Sequence, residues 1–212
     1  MDAEVFRAWI VSAAGVIEAN RDHLTQLDAA IGDADHGINL ARGVTAVLGA
    51  LDAAPAKPAT PGAILTLTGN TLISKVGGAS GPLYGTAFRR AGKSLGDAAN
   101  IDLPALSGAL EAALAGVQQL GAAREGDKTM VDALVPATRA FAKAIAEGAS
   151  QDDALQSLAE AAEAGAVATI SMQALKGRAS YLGPRSVGHE DPGAVSTALI
   201  LGALRDTART GP

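Results

Sequence analysis

Residues 103–120, LPALSGALEAALAGVQQL, place apolar side chains three or four positions apart, which is the spacing of one helical face. The residues on this face are Leu103, Leu106, Leu110, Ala113, Leu114 and Val117. The N-terminal segment repeats the pattern with Val5, Trp9, Ala13, Val16 and Ile17. The alternation of apolar and polar residues that is typical of strands is rare along the chain. The sequence therefore predicts an all-α protein.

The same periodicity predicts eight helices. Their ranges are 4–30 with a break near Asn20, 37–53, 61–75, 81–97, 103–120, 130–147, 152–175 and 193–208. The 25 glycines and many alanines favour helices that approach one another closely, because small side chains allow short distances between helix axes. We expect one domain over residues 1–212, folded as an up-and-down bundle of antiparallel helices.

Four of the predicted connections are polar and rich in glycine: IGDADHG, VGGASG, AAREGDKT and GRASYLGPRSVGHEDPG. They follow the first, third, fifth and seventh predicted helices. Alternate loops of an antiparallel up-and-down bundle lie at the same end, so we expect these four to form one site. The segment DAAPAKPATPG, residues 52–62, is instead a proline- and alanine-rich linker without obvious chemistry.

Composition excludes several classes of function. The net charge of −5 and the absence of a basic run argue against a nucleic-acid partner. The absence of cysteine excludes disulfides and thiolate metal sites. The N-terminus lacks the basic region of a signal peptide, and no apolar run approaches the ~18 residues that a membrane span needs. We therefore expect a cytoplasmic protein.

The first loop concentrates negative charge, because Asp28, Asp33, Asp35 and His36 lie within nine positions that contain no lysine or arginine. Asp33 or Asp35 is a candidate helix N-cap, but one cap does not require three carboxylates. A bound cation would neutralise them, and Mg²⁺ or Ca²⁺ prefers such oxygen ligands. Mg²⁺ is favoured over Ca²⁺, because several carboxylates that leave coordination positions open for phosphate oxygens suit Mg²⁺ better. A single histidine such as His36 more often caps a helix or forms a hydrogen bond than binds a metal ion.

The glycines of the second loop, Gly77, Gly78 and Gly81, surround Ser80 just before a predicted helix. Such a loop lets backbone N–H groups approach an anion, and the helix N-terminus adds partial positive charge. A tight turn between two helices explains the same residues equally well. The segment AFRRAGKS, residues 87–94, resembles the end of a Walker A motif but lies within a helical pattern, and we interpret it as a solvated helix face.

The last long loop ends with Asp191 as a predicted N-cap, followed by Pro192 and Gly193 at the helix start. Arg178 and Arg185 are candidate phosphate ligands, although exposed arginines are common. In the third loop, Met130 offers an apolar surface for a flat base, or belongs to the core. The residues alone thus predict a metal-dependent nucleotide or polyphosphate site at one end of the bundle.

Four segments together resemble the family of ADP-binding L subunits of dihydroxyacetone kinase, in order and spacing over nearly the whole chain. They are LDAAIGDADHGINLARG, VGGASGPLYGTAF, GDKTMVDAL and GRASYLGPRSVGHEDPGA. The resemblance implies a barrel of eight antiparallel helices that holds ADP or ATP and two Mg²⁺ ions at one end. It implies that Asp28, Asp33 and Asp35 bind the metal ions. The nucleotide contacts that it implies are His36, Gly37, Ile38, Asn39, Ala79, Ser80, Gly121, Met130, Arg178, Asp191, Pro192 and Gly193.

The resemblance also implies two partner proteins. A K subunit binds dihydroxyacetone covalently through a histidine, so the sugar site is not expected in this chain. In the phosphotransferase-system branch, a phosphohistidine on an M subunit phosphorylates the bound ADP, which passes the phosphoryl group to the triose. In the ATP-dependent branch, K-like and L-like domains are usually fused. A separate chain of 212 residues favours the first branch.

Two alternatives remain open at this point. One is the nucleotide-binding subunit of an ATP-dependent kinase that acts on dihydroxyacetone or another ketose, such as erythrulose. The other is a non-catalytic carrier of a lipid or small molecule, although that function leaves the three aspartates unexplained. Self-association is also left open.

Overall fold

The computed structural model describes residues 1–54 and 58–210, which form nine α-helices, two 3₁₀ helices and no strand. The α-helices are α1 (Ala3–Ala19), α2 (Arg21–Ile31), α3 (His36–Ala53), α4 (Pro61–Lys75), α5 (Ser80–Leu95), α6 (Leu103–Gly121), α7 (Val131–Ala146), α8 (Gln151–Ala168) and α9 (Pro192–Thr210). The 3₁₀ helices are Thr169–Ser171 and Arg178–Ser186. The all-α prediction is confirmed. Within the described ranges, no helix combines the length and the apolarity that crossing a bilayer requires.

The predicted break near Asn20 is confirmed, since this residue separates α1 from α2. The prediction that the seventh predicted helix, 152–175, continues to residue 175 is wrong, because the corresponding helix α8 ends at Ala168. The Thr169 carbonyl accepts a hydrogen bond from Lys128 Nζ at 2.7 Å, and the Thr169 hydroxyl accepts one from Asp191 N at 2.9 Å. These distant partners draw the chain out of the helix. Residues 178–186, which we expected as loop, form 3₁₀ turns on both sides of a kink at Gly183, whose φ of +55° is not helical.

Part of the predicted linker, residues 55–57, lies outside the described residues. On its C-terminal side, the Thr60 side chain accepts a hydrogen bond from Ala63 N at 3.2 Å and thereby caps α4. Pro61 follows at the first helical position, where its missing N–H group leaves no donor unpaired. The sequence thus starts α4 sharply after the linker.

One apolar core joins all of the α-helices. Phe6 and Phe141 are fully buried, and the Trp9 indole packs against Phe6 with 5.8 Å between ring centroids. The Trp9 Nε1–H group donates a hydrogen bond to the Ile200 carbonyl at 2.9 Å, so the first and last helices are connected by a polar contact as well as by packing. Aromatic residues are few, and alanine and leucine fill most of the core.

Helices α4 and α5 pack along a seam of glycines spaced seven residues apart. A Cβ atom on Gly69 would lie 2.5 Å from the Gly85 carbonyl oxygen, and one on Gly92 would lie 2.6 Å from the Gly62 carbonyl oxygen. Any larger side chain at these positions would therefore push the two backbones apart. The close approach of helices that the glycine content predicted is confirmed here.

We expect Gly69→Ala to lower the free energy of unfolding by about 1–3 kcal/mol, the usual cost of overpacking. Gly49→Ala is the matched control, because Gly49 is also inside a helix but has no atom within 4 Å of an added Cβ. The control should gain about 0.4–1 kcal/mol, since alanine restricts the unfolded chain. Urea unfolding measures the free energy of unfolding of both variants. Equal effects of the two substitutions would contradict the glycine seam.

Candidate functional site

All four polar loops meet in one cleft at a single end of the bundle, as the helix order predicts. Helices α2, α4, α6 and α8 end at this side, and α3, α5, α7 and α9 begin there. The cleft is lined by residues 28–36, 78–84, 128–130, 176–179 and 191–193, though not by every residue in these ranges. Four helix N-termini with their partial positive charge therefore surround a space that also contains the aspartates.

The three aspartates converge at this cleft. Asp28, in the last turn of α2, and Asp33 and Asp35, in the following loop, each offer a carboxylate oxygen within 4.8 Å of the other two. Asp28 is buried, Asp35 is partly buried and Asp33 is exposed. Mg²⁺ binds carboxylate oxygens at about 2.0–2.1 Å, so oxygens around one ion lie only a few ångströms apart. The grouping fits a divalent cation with hard oxygen ligands.

Neither candidate cap residue uses its side chain to cap α3. Asp35 occupies the N-cap position without a side-chain hydrogen bond. Instead, the Asp28 carboxylate accepts hydrogen bonds from Asp35 N at 2.8 Å and from His36 N at 3.1 Å. Asp28 thus caps the next helix from α2, and the Asp35 carboxylate is left for another partner. The Asp33 carboxylate lies 3.0 Å from Arg178 Nε, which brings one positive charge to the cluster.

His36 heads a hydrogen-bond network beneath the cleft that the sequence did not reveal. Its Nε2 atom lies 2.9 Å from the Ser196 hydroxyl, which lies 2.7 Å from the Tyr84 hydroxyl. Tyr84 also contacts the Thr197 hydroxyl and the Gly193 carbonyl, each at 2.9 Å. The first turns of α3, α5 and α9 are therefore fastened to one another. Tyrosine, serine and threonine are too common in helices for this network to be recognised from sequence.

Burial sets the charge state of this network. It lowers the pKa of His36 despite the opposing effect of Asp28 and Asp35, so the imidazole is neutral at pH 7. Burial also raises the pKa of Tyr84 to about 12, so the phenol keeps its proton. The network therefore consists of neutral groups, and the charge of the site is confined to the aspartates and the surrounding cations.

Lys128 closes the long segment between α8 and α9, and the sequence reasoning missed it. The side chain is 1% exposed. Its Nζ atom donates hydrogen bonds to the carbonyls of Thr169 at 2.7 Å, Met172 at 3.2 Å and His189. These acceptors lie at both ends of the segment, so one ammonium group holds the two ends together. Desolvation lowers the pKa of Lys128, and the nearby carboxylate of Asp191 opposes this effect.

Asp191 caps α9 as predicted, because its Oδ2 atom accepts a hydrogen bond from Ala194 N at 2.7 Å. Pro192 and Gly193 follow at the helix start, also as predicted. Desolvation raises the pKa of Asp191 to about 7, although the bond from Ala194 favours the charged form. The carboxyl group thus gains or loses its proton near neutral pH, which places a titratable group at the floor of the cleft.

Most of the nucleotide contacts that the resemblance implies line the cleft. These are His36, Ala79, Ser80, Met130, Arg178, Asp191, Pro192 and Gly193. Met130 is only 5% exposed and belongs to the core, which confirms the core interpretation, and its contact with a base stays a prediction. Lys176 and Thr129 also line the cleft. The sequence analysis did not assign Lys176, and no motif distinguished it.

Four further residues from that set lie outside the lining. Gly37 packs against the backbone of α2, where a Cβ atom would meet Thr25 Oγ1 at 2.6 Å. Ile38 is half exposed, and the Asn39 side chain accepts a hydrogen bond from Arg42 Nη2 at 2.8 Å. Gly121 ends α6 and lies beside Leu83, which does line the cleft. Their contact with a nucleotide stays a prediction.

A family model for the DAK2 domain matches residues 30–206, which include all of the cleft lining except Asp28. The chain belongs to the DAK2 domain family. This membership agrees with the resemblance that the four loop motifs indicate.

Among relatives of this DAK2 domain is the "PEP-dependent dihydroxyacetone kinase, ADP-binding subunit DhaL" of Escherichia coli, 42% identical over 201 residues and matched over 95% of both chains. The "Triokinase/FMN cyclase" of Rattus norvegicus is 40% identical over 189 residues, which are 89% of this chain but 32% of that protein. The crystal structure of the C. freundii dihydroxyacetone kinase with AMP-PNP and Mg²⁺ superposes with a TM-score of 0.71 and 30% identity. This chain spans about a third of that kinase, covering 34% of its chain and 97% of its own.

We expect Lys128→Met to loosen the segment between α8 and α9 while leaving the helical core folded. Three carbonyl groups lose their donor, and buried unpaired polar groups cost about 1–3 kcal/mol each. Hydrogen exchange should report the change at Gly188 N, which bonds to the Ile170 carbonyl at 2.7 Å, with at least a tenfold faster rate. Lys143→Met, on the exposed face of α7, is the control and should leave that rate unchanged. Unaltered exchange in Lys128→Met would contradict the role of the ammonium group.

Proposed function

We propose that this chain is the ADP-binding subunit of a phosphoenolpyruvate-dependent dihydroxyacetone kinase. It accepts a phosphoryl group on bound ADP and passes it to dihydroxyacetone held by a partner subunit. The observation that carries this proposal is the grouping of three carboxylates within 4.8 Å at a cleft that four helix N-termini surround. A nucleotide polyphosphate with its metal ions has the matching charges, negative toward the helices and positive toward the aspartates.

The phosphate groups would bind at the starts of α3, α5 and α9, which begin at His36, Ser80 and Pro192. Gly78 has a φ of +66°, a backbone conformation that glycine adopts without strain, and its turn brings α5 to the cleft. Arg178 adds a guanidinium at the same edge, where it already lies beside Asp33. The adenine base would rest near Met130, the apolar part of the lining.

Asp28, Asp33 and Asp35 would hold two Mg²⁺ ions, since their oxygens are hard ligands and lie close together. Bound Mg²⁺ neutralises the phosphate oxygens and supports an in-line displacement. This chain's own residues then have to position the nucleotide and to exclude competing water. Phosphoryl transfer depends on positioning and charge neutralisation more than on a protein nucleophile. The absence of a cysteine in the chain is therefore no obstacle.

A partner must hold the sugar. His36, the only histidine that lines the cleft among the described residues, is engaged with Ser196 beneath it. It is therefore not free to form a covalent bond to a ketose. The proposal assigns that bond to a K subunit and the supply of phosphoryl groups to a phosphohistidine on an M subunit. It also places the chain in the cytoplasm, where phosphoenolpyruvate is available.

The relatives include both an ADP-binding subunit of a phosphoenolpyruvate-dependent kinase and a triokinase. The match extends over 95% of the E. coli ADP-binding subunit but over 32% of the rat triokinase. The similarity to the triokinase and to the kinase bound to AMP-PNP keeps an ATP-dependent ketose kinase as the second candidate. The sugar itself is chosen on the partner, so erythrulose remains an alternative substrate for that candidate.

The interior of the bundle gives little support to a carrier function. An apolar cavity next to Ile10 and Leu72 has a volume of about 20 Å³, and another next to Trp9 and Leu201 has about 50 Å³. A cavity volume of about 10–15 Å³ already accommodates one water molecule, so these cavities hold a few waters at most and neither has room for a lipid chain. The carrier hypothesis also leaves the aspartates without a role.

Reconstitution separates the two kinase functions. With dihydroxyacetone, the K subunit and ATP, the proposed subunit should give little beyond one turnover, because ADP that stays bound blocks exchange for ATP. Addition of the M subunit with a phosphoenolpyruvate-fed relay should give sustained formation of dihydroxyacetone phosphate. Rapid multiple turnover with K and ATP alone would refute the coenzyme role and establish the ATP-dependent kinase. Omission of this chain is the control and should abolish product in both assays.

A further inference from the structure

A second large groove runs along the side of the bundle, outside the cleft. It lies over α5 between α4 and α6 and has a volume of about 1050 Å³. Three cations of α5 line it: Arg89, Arg90 and Lys93. They belong to the segment 87–94 that the sequence presented as an ordinary solvated helix face. This segment lies in a groove between α4 and α6, so its cations face a concave surface instead of open solvent.

The positive charges of this groove are not neutralised within the chain. Arg90 Nη2 donates a hydrogen bond to the neutral Gln119 side chain at 3.0 Å. Across residues 1–54 and 58–210, no ion pair involves Arg89, Arg90 or Lys93. Arginines elsewhere, including Arg7 and Arg139, do pair with carboxylates. One acidic residue, Asp97, lies in the lining. A protein of net charge −5 thus presents a concentrated positive surface here.

Glycines in the flanking helices hold the two arginines in place. A Cβ atom on Gly69 of α4 would lie 2.6 Å from Arg89 Cγ, and one on Gly116 of α6 would lie 2.8 Å from Arg90 Cγ. The side-chain stems therefore lie against bare helix backbone on both sides of α5. Stems held in this way lose less conformational freedom when the guanidinium groups bind a partner, so the groove is partly preorganised.

The shape and lining of the groove favour a protein segment. The lining of α4 extends from Gly62 to Asn70, which corresponds to about 12 Å at 1.5 Å per residue. This length exceeds a single phosphate group. The lining contains no aromatic residue on which a base could stack, which argues against single-stranded RNA. Carboxylates spaced along a helix or extended segment match cations distributed over such a length.

The groove extends from the end of the bundle opposite the cleft, at Gly62 and Gly96, toward the edge of the cleft. Its lining reaches Leu120 near the end of α6, and the next residue, Gly121, lies beside Leu83 of the cleft. A partner that fills the whole groove therefore reaches the edge of the cleft without covering its mouth. Exposed charges of this kind accelerate encounter and produce short-lived, salt-sensitive complexes.

We infer that this groove docks an acidic segment of the phosphoryl-donating subunit. The inference rests on the proposed function, in which the donor must arrive and leave in every cycle. Transient, charge-steered binding on the side of the bundle suits that protein, because its phosphohistidine has to reach the cleft mouth and then leave it free for the subunit that holds the sugar. The docking contact positions the donor and takes no part in the chemistry.

The test is the double charge reversal Arg89→Glu with Lys93→Glu, titrated with the M subunit under excess K subunit and phosphoenolpyruvate. The expected result is at least a tenfold higher KM for the M subunit with kcat and ADP affinity unchanged. The wild-type KM should rise with salt, and the variant's KM should depend on salt much less. The matched control is Arg139→Glu with Lys143→Glu, which makes the same charge change at the same i, i+4 spacing on the exposed face of α7.

Several outcomes would overturn the docking inference. These are an unchanged KM for the M subunit in a folded variant, an equal effect of the control pair, and a raised KM for the K subunit instead. An RNA oligonucleotide provides a further comparison. If the wild type and the control bind it, the groove variant does not, and the KM for the M subunit stays normal, the groove is a nucleic-acid site. Should Glu substitution disturb folding, Arg89→Gln with Lys93→Gln provides the same comparison. Absence of any transfer from M to the wild type refutes the proposed function itself.

Discussion

Mutual repulsion among three carboxylates is the constraint that organises this molecule. Asp28, Asp33 and Asp35 share a space in which oxygens lie within 4.8 Å of one another. The fold offsets part of this repulsion with two backbone amides of the loop and α3 that donate to Asp28 and with the guanidinium of Arg178 beside Asp33. Asp35 receives no such partner from its own helix. The residual negative charge is the feature of the cleft that suits a divalent cation.

That arrangement depends on polar groups buried below the cleft. Tyr84 and Ser196 fasten the first turns of three helices, and Lys128 fastens both ends of the segment that carries Arg178. Because these groups are buried, loss of one partner leaves the others unpaired at substantial cost. The loops of the site are therefore held in place by buried contacts with the scaffold. This rigidity favours positioning of phosphate groups, which is what phosphoryl transfer requires.

Local periodicity was enough to predict the helices and their order. The order in turn predicted that the four loops meet, because alternate loops of an antiparallel bundle share an end. The end of α8 could not be predicted, since Lys128 terminates it from 41 residues away. The capping of α3 was also invisible, because the cap residue Asp28 lies in the preceding helix. Local sequence patterns indicate interactions between residues that are close along the chain, whereas both of these features depend on residues that are distant along it.

The candidate site likewise contains some residues that the sequence predicts and others that it does not. Carboxylate spacing and glycine-rich loops identified Asp28, Asp33, Asp35, Ser80 and Asp191 as residues of one cleft. The network of Tyr84 and the ammonium of Lys128 carry no sequence signature, because their function depends on burial. The arginines of α5 were interpreted as a solvated face, and only the glycines of α4 and α6 show that this face lies in a groove.

The most direct test of the metal-bridged nucleotide site is thermal unfolding with ADP in the presence of Mg²⁺ and of excess chelator, after any copurified ADP has been removed. ADP with Mg²⁺ at ~100 times its Kd should add ~2.7 kcal/mol of stability and raise the Tm, whereas ADP with chelator should not. Asp35→Asn should keep the helical circular dichroism and lose the Mg²⁺-dependent shift, because the Asp35 side chain does not cap α3. Equal stabilisation by ADP without metal, or an unchanged shift in Asp35→Asn, would contradict the account.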